Sequence, residues 1–344
     1  MVSSTHIRAL VLLSGGLDSQ LAARLLKSQG IEITGIVFQS IFFSAQTALE
    51  AGRRLAIPVR VMDFNEIIIG LLKHPGHGFG SAMNPCIDCH TAMIAQAGKI
   101  MRAENFHFVA TGEVLNERPM SQNRRSLKIV AVESGLEGYL LRPLSARLLD
   151  MTEPEKNKWV DREKLCAISG RNRKPQFALA QQFGITDYPQ PAGGCLLTDP
   201  GYGKKLRDLK EHEGLDDLAA IKLLRVGRHF RLGKQAEPGS PPPATTGHRN
   251  LKLIVGRDQA ENKILEQISA ENAILLKTAN VPGPNAVLAS SASVDEIQLA
   301  AAICARYADH KPGATVAIEA SRGNDKKIIE VLPAEQSTID SLRV

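Results

Sequence analysis

The stretch Ile7-Arg8-Ala9-Leu10-Val11-Leu12-Leu13, running straight into Ser14-Gly15-Gly16-Leu17-Asp18-Ser19, decides the fold. Its apolar first half reads as a buried strand. Its second half is a glycine turn opening a helix whose Leu17, Leu21, Leu25 and Leu26 share one face. Ile33 to Val37 and Val59 to Phe64 repeat the strand signal, and a helix from Ala45 to Leu55 stands between them and stops before Pro58. This alternation specifies a parallel α/β sheet with helical crossovers. Phe106 to Thr111 supplies a further strand ending at Gly112-Glu113, and Ile129 to Val132 reads as another short one. In open sheets of this type the carboxyl ends of the strands meet at the ligand crevice, so Gly15 and Gly112 are expected near each other.

Two glycines and two hydroxyls between a strand and a helix let backbone N–H groups and the helix dipole converge on an anion. Asp18 is wrong beside bare phosphate, so its expected role is to hold a Mg²⁺ that bridges phosphates. The loop is not a Walker sequence, because no Lys-Ser/Thr pair closes it, and it lacks the third spaced glycine of the dinucleotide fingerprint.

The 344 residues are 43% hydrophobic and 23% charged, which excludes a disordered tail or a coiled-coil rod and predicts about two domains. Lys+Arg 42 against Asp+Glu 36 gives a net +6, which favours a polyanionic partner without singling one out. No apolar run reaches the roughly 18 residues of a spanning helix, so no membrane association is expected. The five cysteines, Cys86, Cys89, Cys166, Cys195 and Cys304, are odd in number and sparse. With no signal-peptide pattern from Met1 to Arg8, they read as cytoplasmic thiols or ligands.

Pro85 leads into Cys86-Ile87-Asp88-Cys89-His90, after a glycine-rich loop from His74 to Gly80 and before a helix expected from about Asp88 to Glu104. Cys195 is delivered much later by a turn containing Pro189, Pro191, Gly193 and Gly194. Three thiols brought to one place fit an iron-sulfur cluster with one open iron, a structural zinc completed by His90, or a relay in which one cysteine carries a persulfide and another resolves it. Cys166 and Cys304 sit in apolar surroundings and read as buried small residues. His74 and His77 read as solvated loop residues. Glu113 is a candidate either to deprotonate an acceptor or to assist Mg²⁺.

Arg118, Arg124, Arg125 and Lys128 form a loop rich in cations, with no acidic residue between its ends, suited to phosphate contacts. From Arg142 to Gln182 helices are expected to dominate, and Arg171, Arg173 and Lys174 supply a second basic track. Trp159 reads as a packing residue. Aromatic residues make up only 4% of the chain, which disfavours recognition of single strands by stacking and favours a folded RNA read by shape and phosphates.

A boundary is expected at Asp199 to Gly203, with residues 201–219 connecting a first domain, 1–200, to a second, 220–344. The second reads as α+β. Phe230 to Leu232 and Leu251 to Val255 form a hairpin expanded by the proline-rich loop at 237–243. There follow a helix through Ile264, Leu265 and Ile268, strands at Ala273 to Leu276 and Val287-Leu288, a helix from Val294 to Tyr307, and strands at Thr315 to Glu319 and Ile328 to Val331.

The order Ser14-Gly15-Gly16-Leu17-Asp18-Ser19, Asn84-Pro85-Cys86-Ile87-Asp88-Cys89, Ala110-Thr111-Gly112-Glu113 and Gly193-Gly194-Cys195-Leu196-Leu197 resembles the ATP-pyrophosphatase (PP-loop) superfamily, whose fold is adenine nucleotide alpha hydrolase-like. Within it, residues 1–200 resemble tRNA thiouridylases and 4-thiouridine synthetases, and the third cysteine is similar to their iron-sulfur branch. The resemblance implies ATP held by Ser14, Gly15, Gly16, Leu17, Asp18, Ser19, Thr111 and Gly112, with Mg²⁺ at Asp18. It implies a [4Fe-4S] cluster on Cys86, Cys89 and Cys195, which with Asp18 are the expected catalytic residues. A tRNA uridine would be adenylated, AMP would leave, and sulfide or another sulfur donor would supply the replacement atom. An adenylating enzyme with another acceptor and a zinc-containing RNA-binding protein are the alternatives.

Val226-Gly227-Arg228-His229-Phe230, Val255-Gly256-Arg257-Asp258-Gln259-Ala260-Glu261-Asn262 and Val281-Pro282-Gly283-Pro284 make residues 220–344 resemble the RNA-binding module of ribosome-quality-control and fibronectin-binding-like proteins. Arg228 and Arg257 are the tRNA contacts this implies, with Asn262 positioning. The chain departs from that pattern at Leu275-Leu276-Lys277, where the module often carries a tryptophan-histidine pair.

Overall fold

Apolar runs at the front of the chain become five parallel strands: β1 (Arg8–Leu12), β2 (Glu32–Gln39), β3 (Val59–Asp63), β4 (Phe108–Thr111) and β5 (Leu140–Leu141), in the order β3-β2-β1-β4-β5. The computed structural model describes residues 6–189, 195–233, 251–268 and 273–344. They divide into two units, Met1–Gly203 and Lys204–Val344.

In the first unit, helices α1 (Leu17–Lys27), α2 (Gln46–Leu55), α3 (Asn65–Lys73) and α4 (Cys86–Ala103) make the crossovers. Leu17, Leu21, Leu25 and Leu26 of α1 are all buried, as their spacing requires. Ala9, Val11, Ile33, Phe108 and Ala110 share one core cluster with Leu26, Ala48 and Ala51. The strand order reverses direction between β1 and β4, and such a reversal opens a crevice at the carboxyl ends of the two strands. Gly15 and Gly112 stand there. A Cβ at Gly112 would lie 2.5 Å from the Ser19 backbone nitrogen, so the end of β4 presses directly on the start of α1.

Two expectations are corrected. Ile129 to Val132 is not a strand, because α5 (Arg124–Glu133) runs through it. Asn123 caps that helix by accepting from the Ser126 N–H at 2.9 Å, and Leu127 and Val130, three apart, bury one face. The stretch from Arg142 to Gln182 is not dominated by helices. It holds the four-residue α6 (Glu153–Lys156), two short 3₁₀ turns and α7 (Lys174–Phe183), joined by irregular segments.

After α8 (Pro200–His212) and α9 (Leu218–Leu223), the second unit builds an antiparallel sheet. Its strands are β6 (Arg228–Leu232), β7 (Leu251–Val255), β8 (Ala273–Thr278), β9 (Asn285–Ala289), β10 (Val316–Arg322) and β11 (Asp325–Val331), ordered β11-β10-β8-β9-β7-β6. The expected β6–β7 hairpin pairs from Arg228↔Val255 to Leu232↔Leu251, while its proline-rich loop lies outside the described residues. Helix α11 (Val294–Arg306) packs Ala300, Ala301, Ile303 and Cys304 into the core of this sheet; α10 (Gln259–Ile268) and α12 (Gln336–Leu342) complete the unit. The fold is thus a parallel α/β domain followed by a smaller antiparallel α+β domain. Among the described residues no helix is long and apolar enough to cross a membrane.

Candidate active site

Gly15 lets the chain turn sharply out of β1: its φ is +83°, and a Cβ there would come 2.4 Å from the Thr47 carbonyl carbon. The loop then organises itself. Ser14 Oγ accepts from the Gly16 N–H at 3.3 Å and donates to Ser19 Oγ at 3.2 Å, while Ser19 Oγ donates to the Gly16 carbonyl at 2.8 Å. Gln20 Nε2 donates to the Gly15 carbonyl at 2.8 Å and Thr47 Oγ1 to the Ser14 carbonyl at 3.0 Å. No side chain caps the amino end of α1, so its first-turn N–H groups face the crevice as an anion seat.

Asp18 stands at the rim of this seat. Burial pushes its carboxyl up, against the lowering influence of Arg173 and Arg118. Arg173 donates from Nη2 to both Asp18 oxygens, at 3.2 and 3.1 Å, and its Nη1 lies 3.4 Å from Glu117 Oε1. Glu117 is likewise pushed up by burial and by the Asp18 charge. Two carboxylates that share one guanidinium are the hard oxygen donors a Mg²⁺ takes, so Asp18 and Glu117 fit that ion.

The glycine-rich loop from His74 to Gly80 is tied down. His77 Nδ1 bonds Asp88 Oδ1 at 2.6 Å, and its backbone N–H donates to Asp88 Oδ2 at 3.1 Å. His77 is therefore a tether for the first turn of α4, not a solvated residue. That turn begins at Cys86, two residues earlier than the start expected at about Asp88. Asn84 Nδ2 donates to Cys86 Sγ at 3.1 Å. Cys89 is pushed up by burial and then by the charges of Cys195, Cys86 and Asp88; Cys195 is pushed up by burial and in part by Cys86. Residues far apart in sequence thus bring three thiols into one neighbourhood. Their mutual repulsion as thiolates is what a bound iron centre relieves, so the donor chemistry fits a cluster in kind. Among the described residues, no three His, Cys, Asp or Glu side chains already stand in a metal-holding arrangement. Cys304 is buried in the core of the second unit, and Cys166 packs partly buried against the core of the first.

Arg118 joins the two halves of the site, because its charge acts on Asp18 and on Cys195. The rim of the seat and the third thiol therefore both lie within the field of one cation. Beneath that rim lies a floor with another purpose. Glu113 accepts from Arg142 Nε at 2.9 Å and from Thr111 Oγ1 at 3.0 Å, and bonds His90 Nδ1 at 3.0 Å. Burial alone would raise its carboxyl, but the Arg142 charge and the His90 bond outweigh that and hold it down to about 2. Held ionised by three fixed partners, Glu113 is a weak base for an acceptor and serves as an anchor. Its partner Arg142, 6% exposed, was invisible in the sequence, and so was the role of Glu117.

The expected RNA contacts separate into two groups. Arg118, Arg124, Arg125, Lys128, Arg171 and Lys174 are exposed, the second to fourth on α5 and not on a loop; Lys128 pairs with Glu137 and Arg124 donates to the Leu148 carbonyl at 2.7 Å. Arg173, Arg228 and Arg257 are engaged within the chain. Arg228 donates to the Gly256 carbonyl at 3.0 Å and lies 4.4 Å from the Tyr307 ring centroid, and Arg257 pairs with Glu261. Asn262 accepts from the Asn285 N–H at 2.9 Å, a strand-to-helix clamp within the second unit. Trp159 packs edge-on to His107 at 5.1 Å.

The family described as thiamine biosynthesis protein (ThiI) matches residues 4–147, and the NFACT protein RNA binding domain matches residues 246–343. The chain pairs a ThiI-like PP-loop domain with an NFACT-like RNA-binding-type domain. The tRNA-specific 2-thiouridylase MnmA of Bradyrhizobium sp. (strain ORS 278) is 30% identical over 43% of this chain and 44% of its own length. The protein of the same name from Xanthobacter autotrophicus is 26% identical over 69% of this chain and 64% of its own. A solved 4-thiouridine synthetase–RNA complex with bound ATP aligns at 19% identity over 64% of this chain and 53% of its own, with a TM-score of 0.36. The chain spans less than half the length of the first of these relatives.

Proposed function

We propose that this protein is an ATP-dependent tRNA sulfurtransferase. The observation that supports it is a shared cation: Asp18 at the rim of the phosphate seat and Cys195 both lie within the field of one arginine, Arg118. In this reading Ser14 to Ser19, with Thr111 and Gly112, hold ATP; Asp18, with Glu117, holds the Mg²⁺ that bridges its phosphates. A uridine carbonyl oxygen is a poor leaving group. Joined to the α-phosphorus, with pyrophosphate expelled, it departs as AMP when sulfur attacks the carbon. The uncapped N–H groups of α1 neutralise charge that grows on the phosphates.

Cys86, Cys89 and Cys195 would hold a [4Fe-4S] cluster, which when bound supplies sulfur to the activated carbon from sulfide or another donor. The side chains around them do the positioning: Asn84 holds the Cys86 sulfur, and His77, through Asp88, fixes the turn that carries Cys86 and Cys89. The exposed cations from Arg118 to Lys128, with Arg171 and Lys174, would follow the tRNA backbone, and the second domain would add an RNA foothold that raises the local concentration of substrate.

The test is incubation of anaerobically reconstituted protein with tRNA, ATP, Mg²⁺ and sulfide, with nucleosides and AMP read by mass spectrometry. AMP and a thiolated uridine in equal amounts are expected. Absence of both from protein with an intact cluster overturns the proposal; AMP with an acceptor that gains nitrogen in place of sulfur redirects it to ligation.

A further inference from the structure

Asp18 is not free to receive a cation. Both of its oxygens accept from Arg173, and the same guanidinium lies beside Glu117. Arg173 itself is left incomplete, since its Nε is buried with no hydrogen-bond partner. Next to it Gln176, 0% exposed, turns its amide toward Asp18, while its buried amide oxygen has no hydrogen-bond partner. A buried donor without an acceptor costs about 1–3 kcal/mol, and more on a charged group. The arrangement therefore satisfies Asp18 at the expense of Arg173 and Gln176. What would complete the guanidinium is an anionic oxygen, because its planar fork matches phosphate as well as carboxylate.

We infer that Arg173 is a partner-exchange residue. It neutralises Asp18 and Glu117 in the arrangement seen here and so keeps a bare divalent cation from the two carboxylates. A nucleoside triphosphate that arrives with its cation offers Arg173 a phosphate oxygen, and the carboxylates pass to the metal. The exchange leaves each charge with a partner: the divalent ion takes the two carboxylates that the guanidinium leaves, and the guanidinium takes a phosphate oxygen. Metal entry is thereby made conditional on nucleotide. This inference rests on the nucleotide part of the proposed function and needs neither tRNA nor sulfur chemistry.

The experiment titrates full-length protein with Mn²⁺, reading free ion by electron paramagnetic resonance, with and without an ATP analogue bridged by methylene between its α and β phosphates. Wild type is expected to bind Mn²⁺ weakly alone and tightly with the analogue. In R173M, two carboxylates lose their counter-charge, so Mn²⁺ alone binds about tenfold more tightly while the analogue binds about tenfold more weakly. Adding D18N to R173M abolishes the gain, and R173K falls between wild type and R173M. A scaffolding role would weaken both ligands together. Unchanged or weaker Mn²⁺ binding in folded R173M overturns the inference; if R173M does not fold, the same result in R173K does so. Failure of wild type to bind the analogue removes the nucleotide reading and the exchange with it, whereas analogue binding with unchanged Mn²⁺ affinity in R173M removes the exchange alone.

Discussion

The rim and the floor of the crevice each carry a carboxylate near a strand end, and their surroundings drive the two in opposite directions. Asp18 is raised by burial and has one guanidinium against it. Glu113 is buried more deeply, yet it falls to about 2 because Arg142 and His90 are fixed on it and Thr111 fills a further lone pair. Depth alone does not decide which acid is available for chemistry. The number of partners already locked in place does, and by that measure the rim acid is the more exchangeable and the floor acid is the anchor.

The largest effect that would sharpen this contrast lies at the thiols. C86A, C89A and C195A are each expected to abolish the [4Fe-4S] absorbance after anaerobic reconstitution and to cut thiolated product by about 10³-fold or more, as for groups that act as a unit. AMP release should fall with it, while the adenylation step, read as a single turnover of pyrophosphate, should persist. Retention of the cluster in any one variant removes that cysteine from the set. D18N comes next, with AMP formation down by about 10²–10³-fold at unchanged melting temperature, the scale of a lost electrostatic contact to reacting charge. A D18N variant as active as wild type would break the rim reading.

At the floor the effect is on stability. E113A strands Arg142 as a buried charge and should cost about 3–5 kcal/mol in chemical denaturation, far more than D18N. The pH dependence has a definite sign. Glu113 is depressed from its ordinary 4.5 to about 2, so its contribution is present above 4.5 and is lost as pH falls from there toward 2. E113Q should lack that acid limb, and an unchanged denaturation profile between pH 5 and pH 2.5 would refute the assignment. The smallest effect is expected in the second unit, where R257A breaks the pair between a half-exposed arginine ahead of α10 and Glu261, and should cost about 0.5 kcal/mol. If tRNA affinity drops far more than this stability loss accounts for, Arg257 contacts RNA despite its partner.

Local periodicity carried most of the fold. The apolar runs at Ile7 to Leu13 and Ile33 to Val37, each followed by a helical stripe, leave little choice of topology. Ile129 to Val132 misled because β-branched residues favour strands, whereas here the Asn123 cap and the Leu127–Val130 spacing prevail. The active-site loop was legible since Gly15, Ser14 and Ser19 act on their immediate neighbours. Pairings across the chain were not. Arg142 meets Glu113, and Arg173 meets Asp18, only once the sheet has folded, so the anchoring of Glu113 and the pairing of Arg173 have no signal in the sequence.

Gly112 shows how little room this architecture leaves. With 2.5 Å between a would-be methyl carbon and the Ser19 nitrogen, a single hydrogen atom is the whole spacer between two loops that meet from distant parts of the chain. Position 112 is thus a gauge of assembly: any larger residue wedges the mouth open before a ligand arrives, and misalignment there spreads at once to both neighbouring turns.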